Sequence, residues 1–251
     1  MNQTAPASSA AESSGGKAPS HPSFLTVLTS SSIGKKLLMA ITGAGLMLFV
    51  IAHLLGNLQV FLGPDVFNNY AATLQSLPEL LWPARIGLLA LVSVHLALAF
   101  QLRNINKGAR PRAYGQQNTI QAAPSSLYML ETGIVILIFV VIHLLHFTFG
   151  ALQPEFFHAV DPKGRHDVYS VLIHGFQNRL YAGTYLFCMA MLGVHLSHAV
   201  TSMLQTLGLP TTRDLRRVGR FVGYGIALGY SLIPIAVQLG LLHLASKGVS
   251  I

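Results

Sequence analysis

Five stretches of this chain are apolar for long enough to cross a hydrocarbon core, and polar residues fall mostly between them. They run approximately over 37–62, 80–102, 127–152, 180–207 and 221–244, each near the roughly 20 residues that a spanning helix needs. The pattern predicts an all-α membrane protein, a bundle of five transmembrane helices. Gly43, Gly45, Gly56, Gly133, Gly183, Gly193, Gly223 and Gly225 lie inside these stretches. Membrane helices tolerate such glycines, and they let backbones or a flat group approach closely. Helix packing is the simpler of the two uses.

Composition agrees with the pattern. Of 251 residues, 52% are hydrophobic and 10% charged, against roughly 25% charged in soluble domains. Residues 1–23 differ in kind, being rich in Ser, Ala, Gly and Pro, with no basic start and no apolar run of signal-peptide length. They read as a disordered tail that stays in the cytoplasm. The expected organisation is a disordered cytoplasmic tail at 1–30 and a single five-helix transmembrane domain at 31–251.

Charge orients the bundle. Lys17, Lys35 and Lys36, then Arg103, Lys107, Arg110 and Arg112, then Arg213, Arg216, Arg217 and Arg220 flank one side, eleven cations with Glu12, Glu131 and Asp214 among them. The other side holds Arg85, Lys163, Arg165, Arg179 and Lys247, balanced by Asp65, Glu79, Glu155, Asp161 and Asp167. The bias predicts a cytoplasmic N-terminus and an outer C-terminus. The net charge of +8 is thereby confined to the inner face, where anionic lipid or a soluble partner meets it. Nucleic acid is excluded as a partner, because the cations flank membrane segments without interleaved aromatics.

Four spans each carry a histidine displaced toward the C-terminal end: His53, His95, His143 and His195. Spans one and three run outward, so His53 and His143 lie about 5–6 Å past the middle on the outer side. His95 and His195 lie a similar distance past the middle of spans running inward. The four form an outer pair and an inner pair, in layers roughly 10 Å apart. A single membrane histidine can simply bond a carbonyl, or a serine such as Ser93 or Ser197. Four in matched layers also suit a metal held between facing helices.

One cysteine, Cys188, provides neither an iron-sulfur cluster nor a cysteine zinc site. Two imidazoles per layer, without nearby carboxylates, fit the axial positions of a haem whose macrocycle supplies the other four ligands. With both axial positions filled, electron transfer is the natural role. His146 and His198, three residues after His143 and His195, compete for the ligand positions. Lying about one turn nearer the surface, they could instead bond a haem propionate or a quinone oxygen, or serve as interfacial polar residues. His21, His158, His166, His174 and His243 fall in the tail, the outer loop or the last turn.

The segments GLMLFVIAHLLGN, LVSVHLALAF, TGIVILIFVVIHLLHF and MLGVHLSHAV occur in this order, with SSIGKK leading into span one, FNNY after it and DVYSVL before span four. Together, across residues 30–244, they resemble the single-chain, two-haem cytochrome b subunit of succinate dehydrogenases and fumarate reductases. The resemblance implies a non-catalytic anchor and quinone-reactive subunit in the bacterial cytoplasmic (inner) membrane. It holds a flavoprotein subunit with FAD and an iron-sulfur subunit on the cytoplasmic side. It also implies two b haems, with His53 and His143 as axial ligands of the haem farther from the soluble subunits and His95 and His195 of the nearer one. Electrons pass between succinate or fumarate chemistry in the partners and a membrane quinone, menaquinone or ubiquinone.

Propionates would turn toward Lys35, Lys36, Arg103 and Arg217 on the inner side, or Arg85, Arg179 and Tyr181 on the outer. All of these equally suit lipid headgroups. Trp82, at the outer start of span two, fits the interfacial aromatic belt. A quinone site beside the outer layer would draw on Glu79, Trp82, Arg85, His174, Asn178 and Arg179, with Glu79 as a proton relay or merely a solvated loop carboxylate. Glu131 is the only carboxylate within a span, and Gly193 stands two residues before His195, so a carboxylate path across the bilayer is poorly supported. Two other readings remain: the dihaem anchor of another quinone-linked enzyme, such as a hydrogenase or formate dehydrogenase, and a histidine-based proton channel or transporter.

Overall fold

The computed structural model describes residues 23–108, 128–210 and 212–244. Among them the structure is all helical, with five helices long and apolar enough to cross a membrane: Ser32–Leu62, Pro78–Asn106, Met129–Thr148, Arg179–Thr206 and Arg213–Gln238. In chain order the elements are α1 (Phe24–Ser30), α2 (Ser32–Leu58), α3 (Pro64–Gln75), α4 (Pro78–Gly108), α5 (Met129–His143), α6 (Pro154–Phe157), α7 (Val168–Gln177), α8 (Arg179–Thr206) and α9 (Arg213–Gln238). A 3₁₀ turn, Gln59–Leu62, extends α2, and a π-helical turn, Leu144–Thr148, extends α5.

Several boundaries differ from the hydropathy pattern by a turn or more. The expected tail at 1–30 reaches too far: residues 1–22 lie outside the described ones, but 24–30 form α1. Ser23 caps it by accepting from the Thr26 amide at 3.2 Å, and Ser31 caps α2 from the Gly34 amide at 2.9 Å. Span five begins at Arg213 instead of 221 and ends at Gln238 instead of 244. Thr212 accepts from the Leu215 amide at 3.0 Å, so two polar turns precede the apolar run. A Schellman close ends it, Leu241 N–H to Ala236 C=O at 2.9 Å, with Gly240 at φ +73°.

The tightest seam joins α8 and α9. Gly193 and Ser197 of α8 meet Gly219 and Gly223 of α9 so closely that a Cβ on Gly223 would fall 2.8 Å from Ser197 Cα. Small residues supply the close backbone contact that lipid, as apolar as any side chain, cannot drive by exclusion. Helices α2 and α5 pack on α8, whereas α4 leans mainly on α2 and α3. Only 6% of the apolar window of α4 is buried inside the protein, against 44% for α8. A wide interior gap therefore lies alongside α4.

One end of the bundle, here the cap end, carries α3 and α7, which hydropathy alone did not reveal. Val60 and Ile173 are fully buried there. Asn68, 1% exposed, receives the Tyr169 amide at 2.9 Å and donates to Asp167 at 2.9 Å and Asp161 at 3.4 Å. Asp161 also takes Arg165 Nε at 2.7 Å, and Arg165 reaches on to Asp65 at 2.7 Å. The opposite, basic end carries Lys35, Lys36, Arg103 and the arginines of α9.

Two outcomes follow from this packing. Gly223→Ala should force α8 and α9 apart and lower stability by about 1–3 kcal/mol, read as an earlier thermal transition in detergent. The Arg165 guanidinium beside Asp161 holds that carboxyl at about 2, below its ordinary 3.8, aided by the Arg165 and Lys163 amides. A depressed folded-state value stabilises the cap fully above about pH 4 and loses that contribution as pH falls toward 2. Hydrogen-exchange protection factors in α3 and α7, corrected for the intrinsic rate at each pH, should therefore fall between pH 4 and 2, and unchanged protection would contradict the role of this network.

Candidate functional site

His95 and His195 are held by the same device on different helices. Thr42 Oγ1, on α2, lies 2.9 Å from the Leu38 carbonyl, 3.1 Å from that of Met39 and 3.1 Å from His95 Nδ1. Thr132 Oγ1, on α5, lies 2.9 Å from the Tyr128 carbonyl, 3.1 Å from that of Met129 and 3.1 Å from His195 Nδ1. Each hydroxyl spends its one proton on its own helix, so its oxygen accepts from the ring. Nδ1 then carries the hydrogen and Nε2 keeps a lone pair. That tautomer, assigned from the bonding network, leaves Nε2 as the nitrogen able to bind a metal. The next residues, Gly43 and Gly133, let the rings lie against the backbone: a Cβ on either would sit 3.4 Å from the histidine Cε1.

This symmetry is written in the sequence as a repeat that hydropathy and depth did not expose. Thr42-Gly43 precedes His53-Leu54-Leu55 just as Thr132-Gly133 precedes His143-Leu144-Leu145, ninety positions later. The histidine follows the glycine by ten positions on each helix, about 15 Å of helical rise. That backbone rise is of the same order as the layer separation of roughly 10 Å read from span centres.

His53 and His143 face one another at the cap end with ring centroids 5.8 Å apart and planes at 86°. Two imidazoles sharing one metal through bonds of about 2 Å have centroids about 6 Å apart. His53 stacks on Phe49 at 5.3 Å. His143 Nδ1 lies 3.4 Å from the Tyr185 hydroxyl. All four histidines line one apolar cavity of about 2270 Å³, walled by α2, α4, α5, α8 and α9, more than twice the roughly 300–1,000 Å³ of an ordinary ligand pocket. Among the described residues, no group of three or more His, Cys, Asp or Glu gathers to hold a bare metal ion.

Of the other candidates, Lys36, Trp82, Arg85, Arg103 and His198 line this cavity. Arg85 stands over the Trp82 ring at 5.3 Å, and Arg103 pairs with Glu131 at 3.0 Å, tying α4 to α5. The remaining residues do not reach it. Glu79 is exposed in the first turn of α4, where its charge favours the helix dipole. Arg179 is exposed and Lys35 half-buried away from the cavity lining. His174 stacks on Phe156 at 4.0 Å. Asn178 caps α8 through Leu180 N at 2.9 Å, Tyr181 donates to the Leu152 carbonyl at 3.5 Å, and Arg217 pairs with Asp214 at 2.9 Å. The quinone set expected from sequence is thus split, with only Trp82 and Arg85 on the cavity.

His146 is resolved against ligation. It lies in the π turn, 2% exposed, with Nδ1 3.2 Å from Tyr185 Oη and Nε2 3.1 Å from Gln153 Oε1. Both nitrogens are taken within the protein, so none is left for a propionate or a quinone. The π turn adds a residue to the helical register, which the three-residue spacing from His143 could not show.

Comparison of the chain with protein-family models, curated proteins and solved structures found no match.

Thr132→Val removes the hydroxyl at nearly constant volume and leaves the His195 ring with only the Met129 backbone as hydrogen-bond partner on α5. Stability should fall by about 1 kcal/mol, measured by unfolding in detergent, and an unchanged transition would show that the bond contributes nothing.

Proposed function

We propose that this chain is an electron-carrying membrane anchor that holds two haems b, one between His53 and His143 and one between His95 and His195. The observation that carries the reading is the paired Thr-to-Nδ1 bond at His95 and His195. It leaves an Nε2 lone pair on each of two rings that share a cavity with a second histidine pair. Each layer offers two imidazoles and no carboxylate, so a macrocycle must supply the remaining iron ligands. When bound, each haem would be a one-electron centre with both axial positions filled.

The chain's own residues complete such a site. Thr42 and Thr132 orient the basic-end rings, and Phe49 and Tyr185 support the cap-end rings. Lys36 and Arg103 bring cations to the cavity at the basic end and Arg85 at the cap end, suited to propionate carboxylates. Trp82 and Arg85 give an aromatic and cationic wall to the cap end, where we place the quinone headgroup. Glu79, away from the cavity, has no part in this pocket.

The basic end, in this reading, faces the cytoplasm and docks an iron-sulfur subunit, which in turn carries a flavoprotein subunit. The support is the charge bias of the sequence and the resemblance of the four histidine segments to the succinate dehydrogenase and fumarate reductase anchor. The membrane is then the bacterial cytoplasmic membrane. Quinone reduction or oxidation completes the circuit.

Purification from membranes tests the proposal. We expect two low-spin b-type haems per chain in reduced-minus-oxidised spectra, with His143→Ala losing one and retaining the other. A flavoprotein and an iron-sulfur protein should co-elute. A colourless protein overturns the haem assignment. Two haems with a different soluble partner would move the chain to another quinone-linked dehydrogenase.

A further inference from the structure

The two cap-end imidazoles are not equivalent. Among the described residues no side chain bonds to the His53 ring, which rests on Phe49. His143 instead begins a four-member chain: His143 Nδ1 to Tyr185 Oη at 3.4 Å, Tyr185 Oη to His146 Nδ1 at 3.2 Å, His146 Nε2 to Gln153 Oε1 at 3.1 Å. Tyr185 is 5% exposed and caged edge-on by Phe139 and Phe176, each with centroids at 5.0 Å. Its phenol cannot swing away. Gly175 of α7 closes over His146, where a Cβ would fall 3.1 Å from Nε2.

A phenol has one proton and two lone pairs, so between two imidazoles it donates to one and accepts from the other. The chain has two self-consistent proton orders. In one, His143 donates to Tyr185, Tyr185 to His146, and His146 to the Gln153 carbonyl oxygen. In the other, the Gln153 amide is turned, every donor reverses, and the His143 proton sits on Nε2. Only the first leaves a lone pair on His143 Nε2, and the carbonyl oxygen of Gln153 faces His146 as that order requires.

We propose that Tyr185, directed by His146 and Gln153, is a positioning residue that fixes the tautomer of His143 and lowers the potential of the cap-end centre. The proposal rests on the haem reading above. A hydrogen bond from Nδ1–H makes the imidazole a stronger donor to iron, which favours the oxidised state. His143 has this support from a caged phenol, and His53 has none from a side chain. The basic-end rings have it from threonine on both sides. His146, adrift as a ligand candidate, thereby acquires a role: it holds the Tyr185 proton away from His143.

Redox titration with haem quantification decides the matter. Tyr185→Phe keeps the packing and removes the acceptor. The cap-end centre should become easier to reduce by about tenfold in equilibrium constant, about 59 mV for one electron, while the basic-end centre stays put. His146→Leu leaves the phenol proton no acceptor but His143 Nδ1, so the cap-end haem should be retained about 10–100-fold less well. His146→Asn, which keeps an acceptor, should restore it. The unchanged basic-end haem reports that a variant is folded, and if His146→Leu does not fold, Tyr185→Phe decides alone. Equal shifts at both centres, or no shift in Tyr185→Phe, overturn the positioning role. Wild-type protein without haem overturns the haem reading itself.

Discussion

An imidazole among lipid tails carries two ring nitrogens that its surroundings cannot satisfy, and each must find a partner inside the protein or cost free energy. The rest of the structure depends on that constraint. Thr42 and Thr132 answer it for one nitrogen of His95 and His195 by back-bonding to their own helices and accepting from the ring. Tyr185 answers it for His143 and His146 together. The nitrogens left over at His95 and His195 are the Nε2 atoms, the ones the proposed haems would use.

The same constraint divides the bundle into a rigid part and an open part. Where glycine, serine and threonine line the α8–α9 seam, backbones touch and the pair forms a firm wall. Helix α4 has no comparable seam with α5 or α8, and the histidine it carries, His95, lies against Thr42 and Gly43 of α2 at the edge of the cavity, with Arg103–Glu131 joining α4 to α5 at the basic end. A bundle whose fourth wall is held off its neighbours leaves room for flat groups between facing helices. A bundle sealed on all sides would not.

At the cap end the chain returns to polar chemistry, and there a buried amide does the organising. Asn68 joins α3 to the start of α7 through one accepted and two donated bonds, and the Asp161–Arg165–Asp65 chain secures the loop above. Helix α7 in turn places Gly175 over His146. The cap thus meets the intramembrane hydrogen bonds through Gly175 over His146 and Phe176 against Tyr185.

Local signals in the chain were enough for the five spans, because hydropathy depends only on nearby residues. Span four, expected at 180–207, is found at Arg179–Thr206. Span five was misplaced because capping by Thr212 extends a helix beyond its apolar run. The Thr-Gly pairs and their partner histidines were legible as a repeat, but their bonding was not, since it joins residues 53 and 63 positions apart. Whether His146 could be a ligand, and whether Glu79 or Arg179 shares a pocket with Trp82, turned on a π turn and on helix rotation. Those are properties of packing between distant segments, which only the tertiary structure decides.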